Sequence, residues 1–492
     1  MSEVQHPFID KRPKELYING RWQSASSGKT FETLNPATGK RLAEVAEGGR
    51  EDIELAVKAA RAALDGPWGR FKPADRQRVL LRLADLFEER FDEFALLDTL
   101  DMGAPISRTS AGKARLAGTL RFYAAQAVNI RGETLHLSLP GDYFAYLERE
   151  PIGVVGAIIP WNGPSTGTIW KIGPVLATGC TVVLKPAEEA PLTPLRFAAL
   201  CEEAGVPPGV INVVTGPGET AGAALASHPG VDKVAFTGSN TTGQAIIRAS
   251  AGNLKKLSLE LGGKSPNIVF ADADLDAAVP GAAMAVFANT GQICSAGSRL
   301  FVQREIYDEF VEKVAAYGSA LKIGNGVDPA TEIGPLVSAE QLERVSRYLS
   351  IGEQEGARIV SRGSRPSEEA LANGYFVSPT VFKDVQDTMR IAREEIFGPV
   401  VSAIPFDDVE EVVERSNASE FGLGGGVWTR DVGKAHRVAK GLKSGAVWVN
   451  CYQAMDPALP FGGYKMSGYG KEAGHLHIEE YLNTKSVCIK LK

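Results

Sequence analysis

The chain has 492 residues, too many for one ordinary hydrophobic core, so two or more domains are expected. Apolar residues make up 44% and charged residues 23%, the balance of an ordinary globular protein. A net charge of -6, with no cluster of lysine and arginine, argues against nucleic acid and anionic membrane as partners. Residues 1–16 are polar and lack the apolar centre of a signal peptide, and runs such as 151–160 and 277–288 fall short of the roughly 18 residues of a membrane span. A cytoplasmic location is the expectation.

Residues 50–130 read as helices, because Ile53, Val57, Ala60 and Ala63 keep helical spacing, as do Val79, Leu80, Leu83, Leu86 and Phe87. Leu135, Leu137 and Leu139 then alternate with His136 and Ser138. Pro140-Gly141-Asp142 turns the chain into a stretch rich in strand formers, so a β-hairpin is predicted. Val487, Ile489 and Leu491 alternate in the same way at the end of the chain. Strand edges of this kind need covering, which predicts a homodimer or homotetramer. From Pro151 short apolar strands at 154–159, 181–184, 210–214 and 233–236 recur at roughly 25-residue intervals, the rhythm of a parallel α/β sheet. A second such region has strands near 300–302, 400–404, 425–428 and 446–450. The expected fold class is α/β, with two parallel-sheet domains and a small projecting β arm.

Five cysteines, Cys180, Cys201, Cys294, Cys451 and Cys488, are scattered without a CxxC pair, so neither a zinc site nor a disulfide framework is predicted. Four of them read as inert buried thiols. Cys294 is different. It closes Gly291-Gln292-Ile293-Cys294, downstream of Glu260-Leu261-Gly262-Gly263-Lys264-Ser265-Pro266. A thiolate nucleophile with a carboxylate able to activate water is the minimum kit for covalent chemistry at a carbonyl. His475 and His477 near Glu479 read as surface residues rather than a metal site, and nothing marks a histidine partner for a cysteine-protease reading of Cys294.

No GxGxxG fingerprint occurs. Gly216-Pro217-Gly218-Glu219-Thr220-Ala221-Gly222 comes close with the wrong spacing. Phe236-Thr237-Gly238-Ser239-Asn240-Thr241-Thr242-Gly243, leading into a helix at 244–249, is either a phosphate-cradling turn or an ordinary capped glycine turn.

Taken in order with Ile159-Pro160-Trp161-Asn162, Leu184-Lys185-Pro186-Ala187-Glu188, Glu394-Glu395-Ile396-Phe397-Gly398-Pro399 and Pro460-Phe461-Gly462-Gly463-Tyr464-Lys465, these blocks resemble the aldehyde dehydrogenase superfamily over nearly the whole chain. The resemblance implies a Rossmann-like NAD-binding domain from 1–131 and 150–260, a catalytic domain from 261–470 and an oligomerisation arm from 132–149 and 478–492. It implies that Gly238, Ser239 and Gly243 lie under the cofactor pyrophosphate and that Lys185 and Glu188 hold the adenosine ribose. Glu395 is implied at the nicotinamide ribose, with Phe397 and Trp161 also on the cofactor side. A carboxylate at Glu188 repels a 2′-phosphate, favouring NAD over NADP.

The same resemblance makes Cys294 the nucleophile that forms a thiohemiacetal and then a thioester, Glu260 the base for its hydrolysis, and Asn162 an oxyanion donor. Relatives that pass the acyl group to coenzyme A commonly lack a glutamate at the position of Glu260, so the chain resembles the hydrolytic branch. Gly163 departs from the bulky aromatic the family often carries there, which implies room for bulky aromatic or medium-chain aldehydes. Trp170, Ile293, Ser295, Phe461 and residues 452–459 are the other expected pocket walls. No charged partner for the substrate is evident. The alternatives are a semialdehyde or coenzyme-A-acylating relative, or a binding or structural protein that keeps the fold without turnover.

Overall fold

Strands Val154–Ile158 and Thr181–Lys185 lack polar alternation because both of their faces are covered. In the computed structural model, which describes residues 6–492, Val155, Ala157, Val182 and Leu184 point into one core with Phe87, Phe94, Leu120 and Phe197 of the helices. Val154, Ile158, Val183 and Val234 point the other way, into a core with Ile53, Val57 and Leu225. The helical reading of 50–130 holds, with helices Arg50–Asp65, Pro73–Glu89, Phe91–Met102 and Lys113–Ala127.

The first sheet runs Arg21–Gln23, Leu16–Ile18, Ile211–Val213, Thr181–Lys185, Val154–Ile158, Lys233–Thr237, Lys256–Glu260, Gly468–Tyr469. From Ile211–Val213 to Lys256–Glu260 its strands are parallel. Successive strands are added on one side of Val154–Ile158 and later ones on the other, which opens a crevice at the carboxyl ends of this sheet. The second sheet runs Arg358–Arg362, Thr380–Lys383, Val400–Phe406, Arg299–Gln303, Pro266–Val269, Gly424–Trp428, Ala446–Val449, parallel except for its first strand.

The chain leaves the first sheet at Glu260 and enters the second at Pro266. One short strand within 261–470, Gly468–Tyr469, returns to the first sheet and pairs with Leu259 and Glu260. The opening strands, Leu16–Ile18 and Arg21–Gln23, were not anticipated, being only three residues each. Asn19-Gly20, both at positive φ, is the two-residue turn that could have revealed the first pair.

A third, antiparallel sheet joins Glu133–Leu135, Tyr143–Pro151 and Leu482–Lys490. The predicted hairpin is present, but the strand expected to run on to Leu139 stops at Leu135. The terminal strand is longer than the alternation suggested and pairs along the whole of Tyr143–Pro151. Leu135, Leu137, Leu139, Phe144, Ile489 and Leu491 are left exposed. No helix among the described residues is long and apolar enough to cross a membrane.

The helix Pro164–Thr178 carries the packing of the first sheet onto the helical layer. Proline opens it, and Gly179 at φ 88° closes it. Its Gly173 lets the ring of Tyr123 approach closely: a Cβ there would stand 2.2 Å from Tyr123 Cδ2. Tyr123 cannot readily step aside, since its hydroxyl is 2.7 Å from His477 Nδ1. Gly173→Ala is therefore expected to cost about 1–3 kcal/mol of stability by overpacking. Urea denaturation checks this, and an unchanged midpoint would show that the ring yields.

Candidate active site

Asn162 follows Val154–Ile158, and Glu260 ends Lys256–Glu260, so both stand at the carboxyl edge of the first sheet. Cys294 and Glu395 lie just upstream of Arg299–Gln303 and Val400–Phe406 and so approach the amino edge of the second. The two edges meet here. Gly263 N–H donates to Glu395 Oε1 at 3.0 Å, and Asn162 Nδ2 donates to the carbonyl of Gln292 at 2.9 Å.

The loop bearing Cys294 is held in an uncommon backbone form. Asn289, Thr290 and Gly291 all have positive φ, at 53°, 58° and 73°. Such residues persist only when their surroundings hold them. Asn289 Nδ2 reaches the carbonyls of Asn162 and Gln292, Thr290 Oγ1 donates to Gly334 O, and the Gln292 side chain bridges Asn289 O and Val337 N. Gly291 packs so closely that a Cβ would stand 2.0 Å from the carbonyl carbon of Gly398. Sequence reasoning missed Asn289 and Gln292 as loop anchors; the short polar run before Cys294 was the available signal.

Cys294 keeps partial solvent access and packs with Trp170, Leu423, Trp448 and Phe461. Burial first, then the charges of Glu395 and Glu260, push its thiol up to about 12, while a hydrogen bond from the backbone N–H of Ser295 favours the thiolate. Glu260 is 3% exposed, and neither of its carboxylate oxygens has a hydrogen-bond partner. Burial and the neighbouring Glu472 raise it well above the usual carboxylate range, and Lys171 and Lys471 oppose this. Gly462 gives the carboxylate room, since a Cβ there would be 2.5 Å from Glu260 Oε1.

Beside Glu260 lies a fully buried ion pair, Lys171 with Glu472, which sequence reasoning missed. Lys171 Nζ also donates to Thr237 Oγ1 at 3.0 Å, at the end of a first-sheet strand. A lysine in the apolar run of Pro164–Thr178 was a signal, but its partner is far away in the chain.

On the crevice side, Lys185 Nζ donates to Glu188 Oε2 at 2.7 Å, and the N–H of Gly218 donates to Glu188 Oε1 at 3.1 Å. The Gly216–Gly222 segment, set aside for its spacing, therefore borders the same carboxylate. The helix after Thr237 begins earlier than expected, at Asn240, with Ser239 as its cap accepting from Thr242 N–H. Gly243 lies inside this helix against Leu261, and a Cβ at Gly238 would meet the ring of Phe236 at 2.4 Å. Trp161 meets Phe397 edge to face, with centroids 5.3 Å apart. Phe397 has φ 63°, and its carbonyl accepts from Gln341 Nε2. Glu395 is not the solvated helix-end charge its local sequence suggests: burial raises its pKa, and the N–H of Gly263 and the nearby cations resist the rise.

Of the expected pocket walls, Trp170 and Phe461 face each other at 6.0 Å, and Ser295 O accepts from Tyr452 O–H at 2.9 Å. Ile293 is half-buried beside Cys294. Gly163 caps the helix Pro164–Thr178, and a Cβ there would meet only Thr166 Cβ, at 3.8 Å. Two expectations need correction. His477 is not on the surface: it is 1% exposed, its Nδ1 accepts from Ala473 N–H, and burial keeps the ring neutral. Nor are four cysteines inert buried thiols, since only Cys180 and Cys201 are buried, with Cys451 half-buried and Cys488 exposed on the arm. No cluster of three His, Cys, Asp or Glu able to hold a metal ion occurs among the described residues.

A parallel-sheet crevice bordered by the Glu188 carboxylate, meeting a cysteine loop and a buried glutamate, suits a nucleotide-dependent enzyme acting on a carbonyl. The model of the Aldehyde dehydrogenase family matches residues 22–487, and the chain belongs to that family. The human mitochondrial aldehyde dehydrogenase is 49% identical over 481 residues, covering 97% of this chain and 92% of that protein. The NAD+ complex of an aldehyde dehydrogenase from Bacillus cereus superposes with a TM-score of 0.95 at 49% identity, covering 98% of this chain and 97% of that one. A betaine aldehyde dehydrogenase from Staphylococcus aureus, in complex with NAD+, superposes equally well, at 0.95 and 39% identity, covering 97% of this chain and 95% of that one. The protein is an NAD(P)-dependent aldehyde dehydrogenase.

The buried ion pair generates a test of its own. Lys171→Met leaves Glu472 as an uncompensated buried charge, which should cost about 3–5 kcal/mol of stability. Lys171→Met combined with Glu472→Leu should recover most of that loss in urea denaturation. Equal destabilisation by the single and double variants would mean that packing, not charge, carries the effect.

Proposed function

We propose that the chain oxidises its aldehyde to the free carboxylic acid through a thioester on Cys294, hydrolysed with Glu260 as the base. The observation that carries this is the Glu260 carboxylate, buried without a hydrogen-bond partner in the desolvated region it shares with the Cys294 thiol. A desolvated carboxylate with a raised pKa is a stronger base than a solvated one. Cys294 gives up its proton to solvent and attacks the carbonyl carbon as the thiolate, and the carbonyl π pair moves to oxygen. Asn162 keeps an amide N–H for that oxyanion beyond the one it gives to Gln292, and the backbone N–H of Cys294 is the second donor. NAD, when bound, supplies the hydride acceptor that takes this adduct to the thioester. Water then adds to the thioester as Glu260 takes its proton, the carbon–sulfur bond breaks, and the acid leaves.

The residues present suit the cofactor. Glu188 faces the crevice with a hydroxyl-matching carboxylate that repels a 2′-phosphate, which favours NAD. The exposed cap of the helix at Asn240 and the exposed Gly218 leave room for a pyrophosphate. Phe397, packed on Trp161, and Glu395, held by Gly263 N–H, suit the nicotinamide end. A second copy of the chain is the natural cover for the exposed arm, whose two outer strands have free edges.

Cys294→Ala should abolish turnover, and Glu260→Gln should slow deacylation by roughly 10²–10⁴-fold, the worth of a positioned base. A burst of NADH followed by a stalled steady state is expected in stopped flow for Glu260→Gln. Because only the carboxylate form can take a proton, the wild-type deacylation rate should rise with pH through a pKa well above 4.5. An unchanged steady state in Glu260→Gln would remove it from the mechanism.

Gly163 should set the pocket's width, because a Cβ there would meet nothing nearer than Thr166 Cβ at 3.8 Å. Gly163→Phe should lower kcat/KM for benzaldehyde more than for acetaldehyde, which is too small to meet the new ring. General overpacking would lower both alike. A constant ratio between the two aldehydes would dismiss Gly163 as the gate and, with it, the preference for bulky or medium-chain substrates.

A further inference from the structure

Phe397 is half-buried at φ 63°, in the left-handed region that a bulky side chain keeps only when its surroundings hold it. What holds it is one helix, Ala339–Gln354. Three consecutive carbonyls, those of Glu395, Ile396 and Phe397, accept hydrogen bonds from its side chains. Arg344 Nη2 donates to Glu395 O at 2.6 Å and Arg344 Nε to Ile396 O at 3.3 Å. Gln341 Nε2 donates to Phe397 O at 2.7 Å.

The grip continues along the same helix face, since residues three, four and seven apart are neighbours there. Val345 packs on Gly398, where a Cβ would stand 2.5 Å from Val345 Cγ2. The Tyr348 hydroxyl donates to Glu394 Oε2 at 2.6 Å. One helix face thus holds the whole strip from Glu394 to Gly398.

The start of this helix is bonded to the cysteine loop as well. Ser338 caps it by accepting from Gln341 N–H, and the preceding Val337 donates its N–H to Gln292 Oε1 at 2.9 Å. Gln292 stands two residues before Cys294, and its Nε2 donates to Asn289 O. Gly398 closes the circle, because its carbonyl lies where a Cβ at Gly291 would collide. The strip bearing Glu395 and Phe397 and the loop bearing Cys294 are therefore registered to the same rigid element.

We propose that the helix Ala339–Gln354 sets the gap between the nicotinamide end of the cofactor and the carbon bound to Cys294, with Arg344 as the positioning residue at its centre. The proposal rests on the thioester route assigned above. In that route the C–H bond of the adduct breaks, its electron pair leaves with the hydrogen for bound NAD, and the oxyanion pair re-forms the carbonyl of the thioester. Such a transfer depends steeply on placement, and a 1 Å error costs on the order of 10²-fold. Arg344 touches neither reacting atom. It acts by fixing the backbone that carries Glu395 and Phe397, and its planar fork spans two carbonyls where a lysine would meet one.

The test uses the full-length enzyme. Without cofactor, Arg344→Met should speed amide hydrogen exchange across residues 394–400, read by mass spectrometry, because the strip loses its grip. At saturating NAD, single-turnover NADH formation should fall by about 10–100-fold. It should slow further with the aldehyde deuterated at C1, while the NAD dissociation constant changes little. Arg344→Lys should restore part of the rate. Gln341→Leu, at the half-buried end of the stripe, should move exchange and rate in the same direction, and it carries the test if Arg344→Met does not fold.

Unchanged exchange across 394–400 in both variants would remove the grip and the proposal with it. A raised NAD dissociation constant with a wild-type rate at saturation would make Arg344 a cofactor contact, which overturns its positioning role. The stall of Glu260→Gln decides the thioester route separately, since hydride transfer precedes hydrolysis.

Discussion

The site depends on one backbone constraint, the left-handed run Asn289-Thr290-Gly291 pinned between two sheets. Its hydrogen bonds go to Asn162 at the edge of the first sheet and to Gly334 on the other side of the loop, where the adjoining Gln292 accepts from Val337 N–H. Gly291 admits the carbonyl of Gly398 where any side chain would collide. Cys294 therefore has no independent position. It sits where the contact between the two sheets puts it, and Glu395 and Asn162 are registered to it by the same contact.

Around that scaffold, charge is buried more freely than in an ordinary core. Glu260, Glu472, Lys171 and Glu395 are gathered where water is largely excluded. Lys171 and Glu472 compensate each other, while Glu260 has no hydrogen-bond partner. Leaving a carboxylate unpaired costs stability and makes it basic. The stable pair supports the unstable group: Lys171 restrains the rise in the Glu260 pKa that Glu472 and burial promote. The arrangement ties the helix Pro164–Thr178, the strand ending at Glu260 and the tail around Glu472 into one unit.

Much of this was legible in the chain itself. Apolar strands of about five residues spaced by helices, Glu260 before paired glycines, and Cys294 after Gly291 are local patterns, and local patterns survive in one dimension. The parallel sheets, the helical layer and the family followed from them. What needed the tertiary structure was every relation between distant residues: Lys171 with Glu472, Gly218 with Glu188, Asn289 with Asn162. His477 read as a surface residue in the sequence, and only the packing of Tyr123 and Tyr481 against it shows that it is buried. The alternation at Leu137 and Leu139 promised a strand that has no partner to pair with. Periodicity and composition report which elements form, because those depend on neighbours in sequence. Burial, pairing and pKa depend on neighbours in space, and those were decided by the meeting of the two sheets.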